Sequence, residues 1–161
     1  MYFAIALILL SSVASCQTVD DGWKGIKPLH TGKGAAEKLL GKAKVDDNNY
    51  HMYTNGDVSV EINYSTSPCK KEQYNRGKFD VPESTVLGYR VLFKTYPKLS
   101  ELKFNKEKYE NYPGGHVPNL EYFSNYEDGI RIEVVMRNGD QFVQKIEYSP
   151  SKSDSKKLAC K

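Results

Sequence analysis

From Val58 to Asn63 apolar and polar residues alternate without a break, Val58, Val60 and Ile62 against Ser59, Glu61 and Asn63. A period of two describes a strand with one face turned toward a core. Tyr50 to Thr54 is a second apolar-aromatic run just upstream, with Asn55-Gly56 between the two. Asn-Gly readily supplies the two positive φ angles of a type I′ turn, so the pattern predicts a hairpin over 50–64 that turns on Asn55-Gly56. Val86 to Thr95 reads as a third strand. Further on, Leu120 to Ser124, Gly129 to Met136 and Gln141 to Tyr148 read as a three-stranded meander, with turns at Asp128-Gly129 and Asn138-Gly139. In its middle strand Ile130, Ile132 and Val134 face one way and Arg131 and Glu133 the other. This is the signature of an antiparallel sheet with one covered face.

Helical periodicity is confined to short stretches. Lys33 to Leu40 is the best of them, with Thr31 placed to cap its start, Ala35 and Ala36 favouring the helix, Leu39 and Leu40 as its apolar face, and Gly41 where a C-cap belongs. Pro97 to Leu102 and Lys106 to Tyr109 suggest helical turns. Residues 65–79 and 109–119 read as loops. The string from Tyr50 through Asn55-Gly56 to Ile62 echoes the one from Tyr122 through Asp128-Gly129 to Val134, which raises a duplication of the hairpin unit. The expected fold class is therefore α+β: a mainly antiparallel sheet of two hairpin or meander units, with short helices on one face.

The N-terminus has a different character. Residues 3–10, FAIALILL, are eight apolar residues, too few to span a bilayer. They have the length of a signal core and are followed by small residues, although no Lys or Arg precedes them. Val13-Ala14-Ser15-Cys16 resembles the lipobox of bacterial lipoproteins. That resemblance implies cleavage before Cys16, diacylation of its thiol and acylation of the new amine; an ordinary signal cleaved after Ser15 is the alternative. The expected organisation is a signal over 1–15, a lipidated Cys16 with a tether to residue 24, and a single domain over 25–161. Gln17, in place of the Asp linked to inner-membrane retention, points to an outer membrane where there are two. Three cysteines are an odd number for an exported chain. Lipidation of Cys16 resolves the parity and leaves Cys69 and Cys160 to pair, closing a loop of about 90 residues.

Composition narrows the function classes. The formal net charge is +3, from 23 Lys and Arg against 20 Asp and Glu. The two signs are interspersed, and the densest basic stretch, 152–161, reads as a solvated tail, so nucleic acid is not an expected partner. The three histidines, His30, His51 and His116, have no metal-ligand spacing and read as surface or turn residues. Asp46, Asp47 and Asp57 lack a calcium-loop pattern, and Gly32-Lys33-Gly34 lacks a phosphate-loop frame. No catalytic group, metal or cofactor is expected. Twelve tyrosines against one Trp leave one distinctive chemistry, a stacking platform on a sheet face, for which Tyr50, Tyr53, Tyr122 and Tyr126 are the candidates. The Gly114-Gly115-His116 segment between prolines is a candidate binding loop.

The stretch GIKPLHTGKGAAEKLLGKA, followed by a polar gap and an aromatic hairpin, resembles the start of the SmpA/OmlA domain. That domain occurs in a small outer-membrane lipoprotein of the barrel-assembly machinery. Leu39, Leu40 and Gly41 match its helix ending, whereas Lys42 and Ala43 depart from its Gly-x-Pro continuation. The chain also resembles uncharacterised lipoproteins of environmental bacteria, on strings such as YPKLSELKFNKEKYE. The first resemblance implies an α+β sheet used for protein contacts. On that basis the expected function is a non-enzymatic envelope scaffold or accessory protein, held to the membrane by its lipid and acting on an envelope protein partner. The alternative is a module that binds glycan or peptide on its Tyr face.

Overall fold

The alternating stretches become strands of one sheet in the computed structural model, which describes residues 18–71 and 78–161. The first four strands are β1 (Val45–Asp47), β2 (Tyr50–Asn55), β3 (Val58–Tyr64) and β4 (Val86–Phe93). The second four are β5 (Glu110–Pro113), β6 (Leu120–Asn125), β7 (Ile130–Arg137) and β8 (Asp140–Tyr148). All pairings between these strands are antiparallel, and the order across the sheet is β1-β2-β3-β4-β8-β7-β6-β5. Each half is a four-stranded meander, and the halves join through their last strands, β4 and β8. The stretches that echo one another in sequence, 50–62 and 122–134, fall at equivalent places in the two halves. The α+β expectation is thus met mostly as sheet: the α-helices of the described residues are α1 (Lys33–Leu40) and α2 (Lys152–Lys157).

Cross-strand register sorts the side chains. Tyr53, Val60, Val91 and Ile146 share one face, as do His51, Ile62 and Tyr89. The core covers that face with Val19, Ile26, Ala36, Leu99 and Tyr109 from outside the sheet. The other face carries the polar half of each alternation. A β-bulge near Asn63 and Tyr64 sets Leu87 apart. Leu87 joins Leu29, Phe79 and Val81 in a second small cluster, against which Leu158 packs. The cysteine pair lies beside it: Cys69 and Cys160 are disulfide-bonded as expected, with Cα atoms 5.4 Å apart.

Several local expectations change. The first hairpin turns on Gly56-Asp57 rather than Asn55-Gly56, because Asn55 still pairs with Val58. Gly56 has φ +59 and Asp57 is not left-handed, the pattern of a turn with Gly at its first central position. Gly32 caps α1; the Thr31 hydroxyl instead accepts from the Lys27 N–H at 2.9 Å. The basic tail folds as α2, capped by Ser151, whose hydroxyl accepts from the Asp154 N–H.

The largest change is at the start of the domain. The segment read as tether to residue 24 is docked from Thr18 onward, where the signal and Cys16 lie outside the described residues. Val19 is 4% exposed, within 3-10 turns at Val19–Asp21 and Trp23–Gly25. Two core tyrosines hold this segment. Tyr89 accepts from the Trp23 N–H and donates to the Ile26 carbonyl, both at 2.8 Å, and Tyr148 donates to the Val19 carbonyl at 3.2 Å. Asp20 accepts from the Tyr109 hydroxyl at 2.7 Å and the Asn105 N–H at 2.8 Å. Gly22 sits where the chain passes closest: its φ is +82, and a Cβ there would lie 2.3 Å from the Ile26 oxygen.

Candidate functional site

The polar face of the sheet is where the sequence placed a binding platform, and the register shows what stands on it. Across the middle of the sheet Glu61, Arg90, Glu147 and Arg131 are successive cross-strand neighbours on β3, β4, β8 and β7. Arg90 pairs with Glu61 at 2.8 Å, and Arg131 donates from Nε and Nη2 to one oxygen of Glu147. One step along the strands, Lys145 pairs with Glu133 at 2.9 Å and reaches back to Glu147 at 3.2 Å. Opposite charges directly across a sheet reinforce each other, whereas like charges would repel.

Glu147 is the centre of this ladder, with its side chain 14% exposed. Burial pushes its carboxyl group up, but the hydrogen bonds and charges of Arg131 and Lys145 more than offset that and hold it below the ordinary carboxylate range. A carboxyl whose folded value is depressed stabilises the fold above its unfolded value, and that contribution disappears as acid protonates it. Stability is therefore expected to fall as pH drops below about 4.3. Glu147→Gln should flatten part of that fall while lowering stability at neutral pH. Urea unfolding across the acid range checks both effects, and identical pH profiles for the two proteins would rule them out.

At the β5–β6 end the ladder gives way to aromatic rings. Tyr122 on β6 stands across from Tyr112 on β5, centroids 5.5 Å apart, and the Arg131 guanidinium lies 5.5 Å from the Tyr122 ring. The Tyr112 hydroxyl shares a hydrogen bond of 2.9 Å with Ser124. Burial raises the Tyr112 phenol, but Ser124, Tyr126 and the Arg131 charge together bring it below its usual value. Tyr126 projects from the turn between β6 and β7 and is 61% exposed. That turn is fixed by Asn125, whose side chain donates to the Asp128 carboxylate at 2.8 Å and accepts from the Asp128 N–H at 3.1 Å. Between Tyr126, Ser124, Arg131 and Glu147 lies a cleft of about 270 Å³.

The four candidate tyrosines do not form one platform. Tyr122 and Tyr126 come together, joined by Tyr112, which the sequence left inside a loop. Tyr50 is on the same polar face but on β2, five strands away, or about 24 Å at the usual strand spacing. Tyr53 is on the opposite face, 1% exposed, its hydroxyl 3.0 Å from that of Tyr64. It is a core residue and cannot meet a ligand there. The segment read as a loop over 109–119 contains β5; what remains is the turn 114–119, where Gly115, His116 and Val117 are exposed and Gly114 packs against Leu120. That turn caps the hairpin carrying Tyr112 and Tyr122. His51, expected at the surface, is fully buried. No metal-holding group of His, Cys, Asp and Glu occurs among the described residues.

Comparisons of the chain with protein families, with curated proteins and with solved structures give no match.

Proposed function

We propose that the chain is an exported, lipid-anchored envelope protein that acts without catalysis, by holding a protein partner on the open face of its sheet. The observation that carries this reading is the corner formed by Tyr112, Tyr122, Tyr126 and Arg131. Tyr and Arg are the residue types that dominate binding energy at protein interfaces, above all where rings pack on a rigid frame. The frame here is a hairpin backed by the sheet, with the exposed 115–117 turn at its tip. The disulfide supports export, since such bonds persist in oxidising compartments.

The docked N-terminal segment adds a geometric consequence. Only Gln17 separates Cys16 from Thr18, where the described structure begins. A lipid on Cys16 therefore holds the domain against the membrane surface rather than on a slack tether. Intact mass of the membrane fraction tests the anchor: the expected species starts at Cys16 and carries acyl chains, and an unlipidated species removes it.

Envelope crosslinking followed by capture tests the partner. The Tyr122→Ala/Tyr126→Ala variant should recover at least about tenfold less of the partner than the wild type, the loss expected when interface anchors are truncated. Tyr50→Ala, on the same face but far from the corner, should recover it at the wild-type level. Equal recovery by all three proteins, or no specific partner at all, would defeat the proposal.

The cleft beside Tyr126 favours one second reading, in which the same corner binds an envelope glycan or a free peptide. Thermal shifts with cell-wall fragments test it, and no stabilisation by any fragment excludes it.

A further inference from the structure

The two charge signs, mixed along most of the chain, separate over residues 24–44. Of the 23 Lys and Arg, six fall there: Lys24, Lys27, Lys33, Lys38, Lys42 and Lys44. Of the 20 Asp and Glu, only Glu37 does, so the rest of the chain is net negative. Lys33 is answered by Glu37 at 4.0 Å and by Asp46 at 3.6 Å. Lys24, Lys38, Lys42 and Lys44 form no ion pair among the described residues.

These four lysines gather where α1 ends. Lys24 Nζ donates to the Leu39 carbonyl at 3.4 Å, which ties the Trp23–Gly25 turn to the last turn of the helix. Gly41 closes the helix, and the exposed Lys42 and Lys44 follow on the way to β1. Trp23, Lys24 and Leu40 line a cleft of about 210 Å³ with Asn55 and Val58 of the first hairpin. Leu39, just before Leu40, is 44% exposed. Asp57 in the β2–β3 turn brings an acid to this end. Lys94, whose Nζ donates to the Gly56 carbonyl at 3.2 Å, brings a further base. The negative end of a helix attracts cations, which accounts for Lys24 and Lys38. It does not call for Lys44, or for a leucine left in solvent.

We propose that this surface is where the domain meets an anionic lipid bilayer, with the lysines at the headgroup phosphates and Trp23 and Leu39 at the edge of the acyl region. Lysine is depleted at protein interfaces, where Arg is preferred, and residues 24–44 hold no Arg. A lysine is a compact point charge, suited to a diffuse layer of phosphates rather than to one carboxylate held in a fork. Its long stem lets the charge stay in water beside apolar surface. Tryptophan settles at headgroup depth. The surface rests on the envelope reading for the membrane it meets, but not on the lipid at Cys16. The aromatic corner, on β5 and β6, lies toward the opposite edge of the sheet and stays available to its partner.

The full chain carrying Cys16→Ala has no thiol to acylate and reads the surface without a lipid. It is mixed with phosphatidylcholine vesicles made with and without phosphatidylglycerol. Cosedimentation should be at least about tenfold stronger on the anionic vesicles. It should fall in about 1 M salt, where charges are screened within about 3 Å. Emission of Trp23, the only tryptophan, should move to shorter wavelength on the anionic vesicles alone. Lys38→Gln/Lys42→Gln/Lys44→Gln should weaken that binding at least about tenfold, a lysine close to an anionic surface being worth about fivefold. Lys70→Gln/Lys71→Gln/Lys161→Gln removes the same charge beside the Cys69–Cys160 bond, beyond the far end of β3, and should bind as the parent does. Equal binding to the two vesicles, equal loss in the two variants, or an unmoved Trp23 emission overturns the proposal. None of these results bears on the anchor, which intact mass decides.

Discussion

Replacing Cys69 and Cys160 together by alanine should lower the free energy of unfolding by about 2–5 kcal/mol. The two residues are 91 apart in the chain. A cross-link that closes so long a loop removes much of the unfolded chain's freedom, about 4.5 kcal/mol by chain entropy alone, and measured values usually fall short of that. The native clasp makes the loss local as well as global. Cys69 donates its N–H to the Phe79 carbonyl at 2.7 Å, and Cys160 donates to Lys78 at 3.0 Å. Asp80 donates to Leu158 at 2.8 Å, and Phe79 bridges to Ala159. These short-range links hold Leu158 over Leu29, Phe79, Val81 and Leu87, a cluster too small to persist when the tail is released. Urea unfolding of the oxidised, reduced and double-alanine proteins measures the effect. Hydrogen exchange should quicken first at 78–80 and 158–160, with β3, β4, β7 and β8 protected longest. Equal midpoints for the three proteins would mean that the bond constrains nothing the native contacts do not already hold.

Local alternation made the sheet legible, and what the sequence concealed depends on contacts between distant residues. Val58, Val60 and Ile62, and likewise Ile130, Ile132 and Val134, announce their strands because each buries one side. Alternation also held a warning about the tyrosines. Tyr50 and Tyr53 are an odd number of residues apart in one strand, so they must face opposite ways, and Tyr53 goes to the core. The same reasoning puts His51 on the side of Tyr53, a signal that would have marked it as buried. Tyr112 gave no such sign. Its strand is four residues long, ends in Pro113 and is followed by two glycines, and only pairing with β6 makes it a strand. The docked N-terminus was equally silent: Val19 is an isolated apolar residue, and the tyrosines that hold the segment, Tyr148 at Val19 and Tyr89 at Trp23 and Ile26, lie far along the chain.

Tyr89→Ala should cost about 3–5 kcal/mol, the range for removing a large buried aromatic side chain. Tyr89 is fully buried at the seam between the two meanders, where β4 meets β8. Its ring stacks on Tyr148, its register partner, with centroids 4.5 Å apart and planes 14° apart. Its hydroxyl serves the 3-10 turn Trp23–Gly25 twice, as acceptor at Trp23 and donor at Ile26. The phenylalanine variant separates these roles. Tyr89→Phe keeps the stack and leaves a backbone N–H and a carbonyl without the hydroxyl between them, at roughly 1–3 kcal/mol for such a loss. Its effect should concentrate in the N-terminal segment, where Trp23 packs edge-on against Phe93 at 5.8 Å. Trp23 is the only tryptophan, so its fluorescence reports on the segment alone. In Tyr89→Phe the tryptophan signal should change at lower urea than the circular dichroism of the sheet, while in the wild type the two should coincide. Coincident transitions in the variant would show that the segment and the sheet unfold as one unit, and that the hydroxyl is not what fastens them. Separate transitions would identify Tyr89 as the clasp between the docked N-terminal segment and the sheet, so that a pull on that segment would first strain the bonds at Trp23 and Ile26.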